Sequence, residues 1–274
     1  MFSVKEITII VPSIGKKISK KWIYQINHFC KNNISVVISI PPGIDIKKVY
    51  SMGFSKDILI VNSDRKGQVF QRQFAYKYSK NKLIMHMDDD IFFNLDSIKG
   101  LLEVFNSLPE NSCLAPAIKN SHKRKKYKSN LFFLVRNLIL YSELNPIPGS
   151  ISSSSLPIPY YKTDNKNMTQ KVEWLPGGIT LIRKKHCIKD DYFKFSGKAY
   201  CEDLFLSRYL RKNKINLYIN NKFSFKTKLE SYRSLNLIKF IKFIINDFRI
   251  RNFFRKNIKK RFIPLLFAYF YFIF

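Results

Sequence analysis

The chain has 274 residues, 46% hydrophobic and 15% aromatic, enough to bury one substantial core or one core plus an appendage. Its formal charge of +30 speaks to partners and little to fold; nucleic acid, an anionic lipid surface and phosphorylated small molecules are the candidates. Cys30, Cys113, Cys187 and Cys201 stand far apart with no CxxC spacing, which argues against a zinc ribbon or a disulfide scaffold and fits a reducing cytosolic compartment.

Ile7–Val11 follows Lys5-Glu6 and is too short for a signal peptide; it predicts a buried first strand closed by Pro12 and Ser13. Lys20 to Lys31 has helical spacing, with Trp22, Ile23, Ile26, Phe29 and Cys30 apolar. Val36–Ile40 predicts a second strand, stopped by Pro41-Pro42-Gly43, and Ile58–Val61 a third. A helix from Gln68 to Ser79, a strand from Leu83 to Met87 and a helix from Leu95 to Asn106 follow. Alternation at this spacing implies an α/β fold, Rossmann-like, with a mostly parallel central sheet and flanking helices. The basic run Lys119–Lys128 and the Pro/Ser-rich Pro146–Pro159 read as loops, mobile over a site. Order returns at Val172, with a strand over Gly178–Ile182, a helix from Glu202 to Lys212 and a strand over Ile215–Ile219.

The C-terminal part is basic. Lys222 to Phe262 holds thirteen Lys or Arg and two acidic residues. Within Leu235–Phe262, Leu237, Ile238, Ile241, Ile244, Ile245 and Phe248 share one helical face, with Lys239, Lys242, Asn246 and Arg249 toward the other. Phe262–Phe274 is almost wholly apolar, yet shorter than the roughly 20 residues a spanning helix needs. After Lys259-Lys260-Arg261 it reads as an interfacial anchor on anionic lipid. The competing reading is a helix packed on the preceding domain.

Two carboxylate groups carry the chemistry. Asp88-Asp89-Asp90 directly follows a buried strand, where open α/β sheets bind ligands. Three adjacent carboxylates repel, and hard oxygen ligands suit Mg2+ or Mn2+ on a diphosphate. An acidic turn capping the next helix is the plainer alternative. Glu202-Asp203 opens a helix, where acidic residues also complement the dipole; the functional reading is a general base. Upstream, the paired Gly177 and Gly178 permit close backbone approach and positive φ. His86 alternates within its strand and reads as core.

Together these pieces resemble a family 2 glycosyltransferase of the GT-A fold, over about residues 5–220. The matching segments are Ile7–Pro12, Gly67–Arg72, Met87–Asp90, Val172–Gly178 and Tyr200–Ser207, in that order. The resemblance implies that Asp88 and Asp89 lie at the nucleotide and that Asp88 and Asp90 hold the metal. It implies that Gly177 and Gly178 shape the donor and acceptor pocket, that Asp203 is the base of an inverting reaction and that Glu202 orients an acceptor hydroxyl. Arg65 and Arg72 would face the nucleotide. The chain departs from the family in two ways. Its second strand ends without the acidic pair that reads the base, Asp45 being the nearest carboxylate, and all four histidines (28, 86, 122 and 186) precede Asp203.

The expectation is a catalytic domain over 1–230, with a nucleotide-sugar half of about 1–118 and an acceptor half of about 119–230, then a basic, aromatic-rich, membrane-associating region over 231–274. The expected activity is sugar transfer from a nucleotide-diphosphate sugar, with Mn2+ or Mg2+, to a lipid-linked or surface-polysaccharide acceptor such as capsule or lipopolysaccharide. The expected place is peripheral, on the cytoplasmic side of the cell membrane, with no nucleic-acid partner. A metal-dependent nucleotidyl or phosphoryl transferase leaves Trp174–Gly178 and Glu202-Asp203 without a role. A non-catalytic basic membrane or nucleic-acid-binding module leaves the carboxylates unexplained.

Overall fold

The computed structural model describes residues 1–16, 18–118, 131–160, 168–193, 195, 199–225 and 237–273. The expected loop Lys119–Lys128 and the head of the expected C-terminal helix, Leu235 and Asn236, lie outside the described residues. The first half forms as its pattern dictates. Strands buried on both faces need no polar alternation, and β1 (Ile7–Pro12) and β4 (Leu83–Met87) are buried at every position. β2 (Ser35–Ile40) and β3 (Leu59–Asn62) complete this part of the sheet. Between them run α1 (Lys20–Lys31), the short α2 (Ile46–Tyr50) and α3 (Gln68–Ala75), with α4 (Leu95–Ser107) after β4. Side chains cap α1 and α4: the Ser19 hydroxyl accepts from Trp22 N, and Asn94 Oδ1 from Ser97 N. The expected helix to Ser79 instead tightens into a 3-10 turn at Tyr76–Tyr78.

Three elements of the second half are not visible in the pattern. β5 (Ser112–Ile118) carries Pro116 in its middle, which argues against a strand; the ladder absorbs it by a register shift between Pro116 and Ala117. α5 (Leu131–Tyr141) is apolar nearly all round and so lacks an amphipathic period. β6 (Thr169–Val172) is a short, half-exposed edge strand. β7 (Ile179–Arg183), α6 (Glu202–Lys212) and β8 (Asn216–Phe225) follow, β8 running six residues beyond its expected end at Ile219.

The eight strands form one sheet in the order β3-β2-β1-β4-β7-β5-β8-β6. β7 is antiparallel to β4 and β5, and β6 to β8; the other pairings are parallel. The mostly parallel α/β fold is as expected. Helices cover both faces. Trp22, Ile26, Phe29, Leu101 and Phe105 pack on one, and Val69, Phe74, Leu204, Leu210 and Phe254 on the other. β7 joins the two halves: Leu181, fully buried, lies opposite Met85 of β4 and Leu114 of β5.

Two expectations are refined. Pro146–Pro159 is a loop, exposed at Ile147 and Pro148 and largely buried from Gly149 on. Ser152, Ser154 and Ser155 are fully buried, the Ser152 hydroxyl donates to Leu156 O, and Glu173 accepts from Ile151 N. Serine hydroxyls supply the partners that a buried loop backbone needs. In α7 (Leu237–Asn257) the packed side holds Asp247, Ile250 and Phe254, while Ile238, Ile241 and Ile245 of the expected apolar face are 66%, 47% and 61% exposed. α8 (Phe262–Ile273) buries Leu265, Ala268 and Tyr269, packs against α5 and α7, and exposes Ile263, Phe267 and Phe270. No described helix is long and apolar enough to cross a membrane.

Leu181→Ala should lower unfolding stability by about 2–5 kcal/mol, the range for a large-to-small change in a packed core. Denaturant titration should show an earlier midpoint with an unchanged slope. A loss below about 1 kcal/mol would mean that β7 is not the join described.

Candidate active site

Three chain segments converge at the C-terminal edge of the parallel strands, the edge where sheets of this kind bind ligands. β4 delivers Asp88–Asp90, the approach to β7 delivers Gly177-Gly178, and the first turn of α6 delivers Glu202-Asp203. The antiparallel pairing of β7 with β4 carries on past the strand: Asp88 N donates to Gly178 O at 2.9 Å. This brings together residues 90 positions apart in the chain. They line a cavity of about 180 Å³ with Asp88, Asp90 and Asp203 in its wall, beside Trp174 and Phe225.

The glycines act by small size. Neither has positive φ, contrary to expectation; in the matched segments positive φ falls on Gly67, at 146°, and on Cys201, at 57°. A Cβ on Gly177 would come within 3.3 Å of both Asp203 Cβ and Glu202 Oε2, and one on Gly178 within 3.0 Å of Ile91. A side chain on Gly177 would make the Glu-Asp pair give way by a few tenths of an ångström, so the bare backbone lets the approach to β7 lie close against it.

Arg72 is the hub. Its side chain is 2% exposed, yet Nη2 donates to Asp88 Oδ1 at 2.7 Å and to Gly177 O at 3.2 Å, and Nη1 donates to Glu202 Oε1 at 2.9 Å. Burial opposes its charge, but Glu202 and Asp88 overcome that and hold its pKa well above the usual value. Arg72 is thus enclosed and does not face a nucleotide as expected. Arg65 also lies apart from the carboxylates. It stacks on Phe70 at 4.1 Å, pairs with Asp191 at 2.7 Å and lines a neighbouring cavity of about 380 Å³ with Phe193 and Phe195.

The aspartate triplet does not act as one cluster. Asp88 Oδ1 takes Arg72 and Gln68 Nε2, the latter at 2.9 Å, and Asp89 Oδ2 takes the Ser13 hydroxyl at 2.6 Å. Their repulsion is relieved inside the protein, and Asp90 is the member that joins Asp88 in the cavity wall. Burial pushes the Asp88 carboxyl up to about 6 against the pull of Arg72. Glu202, 3% exposed, is likewise enclosed: Oε1 accepts from Arg72 and from the Tyr192 hydroxyl, so that oxygen is engaged within the protein instead of holding an acceptor as expected. Asp203 lines the cavity, its Oδ1 accepting from Leu204 N at 3.0 Å.

The remaining candidates are structural. His86 is buried between the Tyr76 hydroxyl at 2.8 Å and Thr180 Oγ1 at 3.0 Å; burial and then Arg72 push its pKa down to about 3. Asp45 caps α2 by accepting from Lys47 N. The four thiols are free. Among the described residues no group of three or more His, Cys, Asp or Glu could hold a metal ion. Asp88 and Asp90 still fit a cation held mainly by a substrate diphosphate, since Mg2+-like ions are commonly bound through one or two carboxylates plus phosphate oxygens and water. Sequence reasoning misses Tyr192, which carries no signal. It also misses the Gln68–Arg72 pairing on Asp88, whose i,i+4 spacing on α3 is a signal.

No family model matches the chain, and no curated protein matches it in sequence. Solved structures do match. The mannosyltransferase PcManGT from Pyrobaculum calidifontis, in complex with GDP-Man and Mn2+, superposes with a TM-score of 0.50 at 9% identity, over 82% of this chain and 57% of that one. A mycobacterial protein gives 0.48 at 10% identity, over 82% and 68%, and S. aureus TarS gives 0.47 at 12%, over 81% and 36%. This chain therefore spans little more than half of the mannosyltransferase chain and about a third of TarS. At these identities the likeness to the mannosyltransferase is one of fold: the mostly parallel, GT-A Rossmann-like sheet.

Burial first, then the neighbouring Glu202 charge, push the Asp203 carboxyl up to about 6, with Arg251 opposing. An unfolded aspartate titrates near about 3.9, so the folded chain binds this proton more tightly, and the stability it lends fades as pH rises from about 4 through about 6. Asparagine cannot ionise. Denaturant titrations across that window should therefore show Asp203→Asn gaining on the wild type as pH rises, then levelling off. A gap that narrows instead would contradict the raised pKa.

Proposed function

We propose that the chain is a nucleotide-sugar-dependent, inverting glycosyltransferase of the family 2 type, assisted by Mn2+ or Mg2+. The observation that carries this reading is the cavity at the sheet edge, whose wall holds Asp88, Asp90 and Asp203, with Gly177 set against Asp203. The mannosyltransferase that shares the fold holds GDP-Man and Mn2+, and a sugar diphosphate with a divalent ion suits this acidic lining.

Each residue then has a task. Asp88 and Asp90 would hold the cation, with Asp89 fixing the loop through Ser13. A bound cation would neutralise charge gathering on the leaving diphosphate. Asp203 takes the proton of the acceptor hydroxyl as its oxygen attacks the anomeric carbon and the bond to the diphosphate oxygen breaks. With a pKa of about 6, it is ionised and ready at neutral pH. Glu202 is poorly suited to be the base, because Arg72 and Tyr192 occupy Oε1. Arg65, in the adjoining cavity, is available to a phosphate or sugar of either substrate.

The division into a catalytic domain over 1–230 and a membrane-associating region over 231–274 belongs to the same proposal. Ile238, Ile241, Ile245, Ile263, Phe267 and Phe270 form exposed apolar surface on α7 and α8, among Lys239, Lys242, Arg249, Lys259, Lys260 and Arg261. Apolar side chains ringed by cations suit the headgroup zone of an anionic bilayer. The acceptor is then a lipid-linked or membrane-proximal glycan, of the kind that builds surface polysaccharide, and the enzyme is peripheral on the cytoplasmic side of the cell membrane.

Two measurements test this. Calorimetry with UDP, GDP and CDP should show one nucleotide binding in a Mn2+-dependent way, lost in Asp90→Ala. Asp203→Asn should keep that binding and lose about 100- to 10,000-fold in turnover. Silence from all three nucleotides would sink the reading. Separately, the Ile263→Ser, Phe267→Ser pair should weaken binding to phosphatidylserine vesicles by at least about tenfold without moving the melting temperature, since both side chains are exposed. Unchanged vesicle binding would remove the anchor.

A further inference from the structure

α6 begins under strain. Cys201, its N-cap, has φ 57° and ψ 14°, a left-handed conformation disfavoured for a residue with a Cβ, and it is neither Gly, Asn nor Asp. Its carbonyl accepts from Leu204 N at 3.0 Å and Phe205 N at 3.4 Å, so this one residue aims the turn that carries Glu202 and Asp203. Such a conformation persists only where the surroundings enforce it.

The surroundings come from the C-terminal helices. Cys201 Sγ donates to Asp247 Oδ1 of α7 at 3.2 Å. Asp247, 8% exposed, is itself fixed by Arg251 Nε at 2.8 Å and by the Tyr269 hydroxyl of α8. Arg251 Nη1 is buried with no hydrogen-bond partner among the described residues, so the guanidinium is not fully satisfied by packing alone. Tyr200, the residue before Cys201, meets Phe243 of α7 edge-on at 5.0 Å. Both residues entering the strained turn are therefore gripped by α7.

We propose that Asp247, with Arg251 and Tyr269, is a positioning residue for the Glu202–Asp203 pair, acting through the left-handed Cys201. The C-terminal helices are then part of the catalytic apparatus as well as a docking surface. The inference rests on the reading of Asp203 as the base, but the clamp itself can be tested without it.

The full chain is compared as wild type, Asp247→Asn and Asp247→Asn with Cys201→Gly. Glycine adopts the left-handed conformation without strain, so it removes the need for the clamp. Three quantities are read: the Kd of UDP or GDP with Mn2+, the rate of nucleotide release from UDP- and GDP-sugars, and hydrogen exchange at the Leu204 and Phe205 amides. Asp247→Asn should keep the Kd within about threefold, slow release by about ten- to a hundredfold and lose protection at both amides. Adding Cys201→Gly should recover most of both losses. Full turnover and protection in Asp247→Asn, or losses that persist unrelieved in the double variant, would overturn the proposal. Tyr269→Phe, which deletes only a hydroxyl, repeats the test if Asp247→Asn does not fold, with smaller losses in the same direction expected. If the wild type releases no nucleotide from any donor, the transferase reading fails, and the exchange data still decide the clamp.

Discussion

The site depends on one buried cation. Taking a guanidinium out of water is costly, and it is tolerated only when carboxylates with good geometry surround it. Arg72 meets this need with Asp88 and Glu202, which belong to the two acidic groups that the sequence keeps far apart. The requirement works both ways. α3 cannot bury Arg72 unless β4 and α6 arrive with their charges, and Glu202 could not be enclosed without it. The arrangement sorts the acidic residues into those spent on architecture, Glu202, Asp89 and one oxygen of Asp88, and those left toward the cavity, Asp90 and Asp203.

Much of the fold is legible in the chain because the physics is local. Runs such as Ile7–Val11 and Leu83–Met87, short and closely bounded, have the length of buried strands, and Ser19 and Asn94 mark helix starts by their own hydrogen bonds. Where tertiary context overrides local preference, reading fails. Pro116 hides β5 until a register shift is allowed for, and α5 has no polar face to reveal a period. The positions of the site residues are likewise legible, but their duties are not. Three adjacent aspartates suggest a shared cation, while the folded chain ties Asp88 to Arg72 and Gln68 and Asp89 to Ser13. Two adjacent glycines suggest positive φ, while their backbone is ordinary and the constraint is the width of the gap to Asp203.

The C-terminal region shows the same limit in another form. A helical wheel finds an apolar face on α7 correctly but cannot say what it meets. The packed side holds Ile250 and Phe254, and it also holds the ion pair of Asp247 with Arg251, whose i,i+4 spacing resembles an ordinary surface pair. Ile238, Ile241 and Ile245 are left outward.

That outward apolar ridge gives the free molecule an ambivalent colloidal character. At +30, copies repel one another across any distance shorter than the screening length, which is about 10 Å at 0.1 M salt and about 3 Å at 1 M. Dilute salt therefore keeps the ridges of α7 and α8 apart by charge alone. Concentrated salt removes that protection while leaving Ile263, Phe267 and Phe270 as oily as before. The ionic strength that strips bound polyanions from such a basic protein is thus also the one that brings its apolar ridges together, so a detergent or lipid to occupy them belongs in the same buffer.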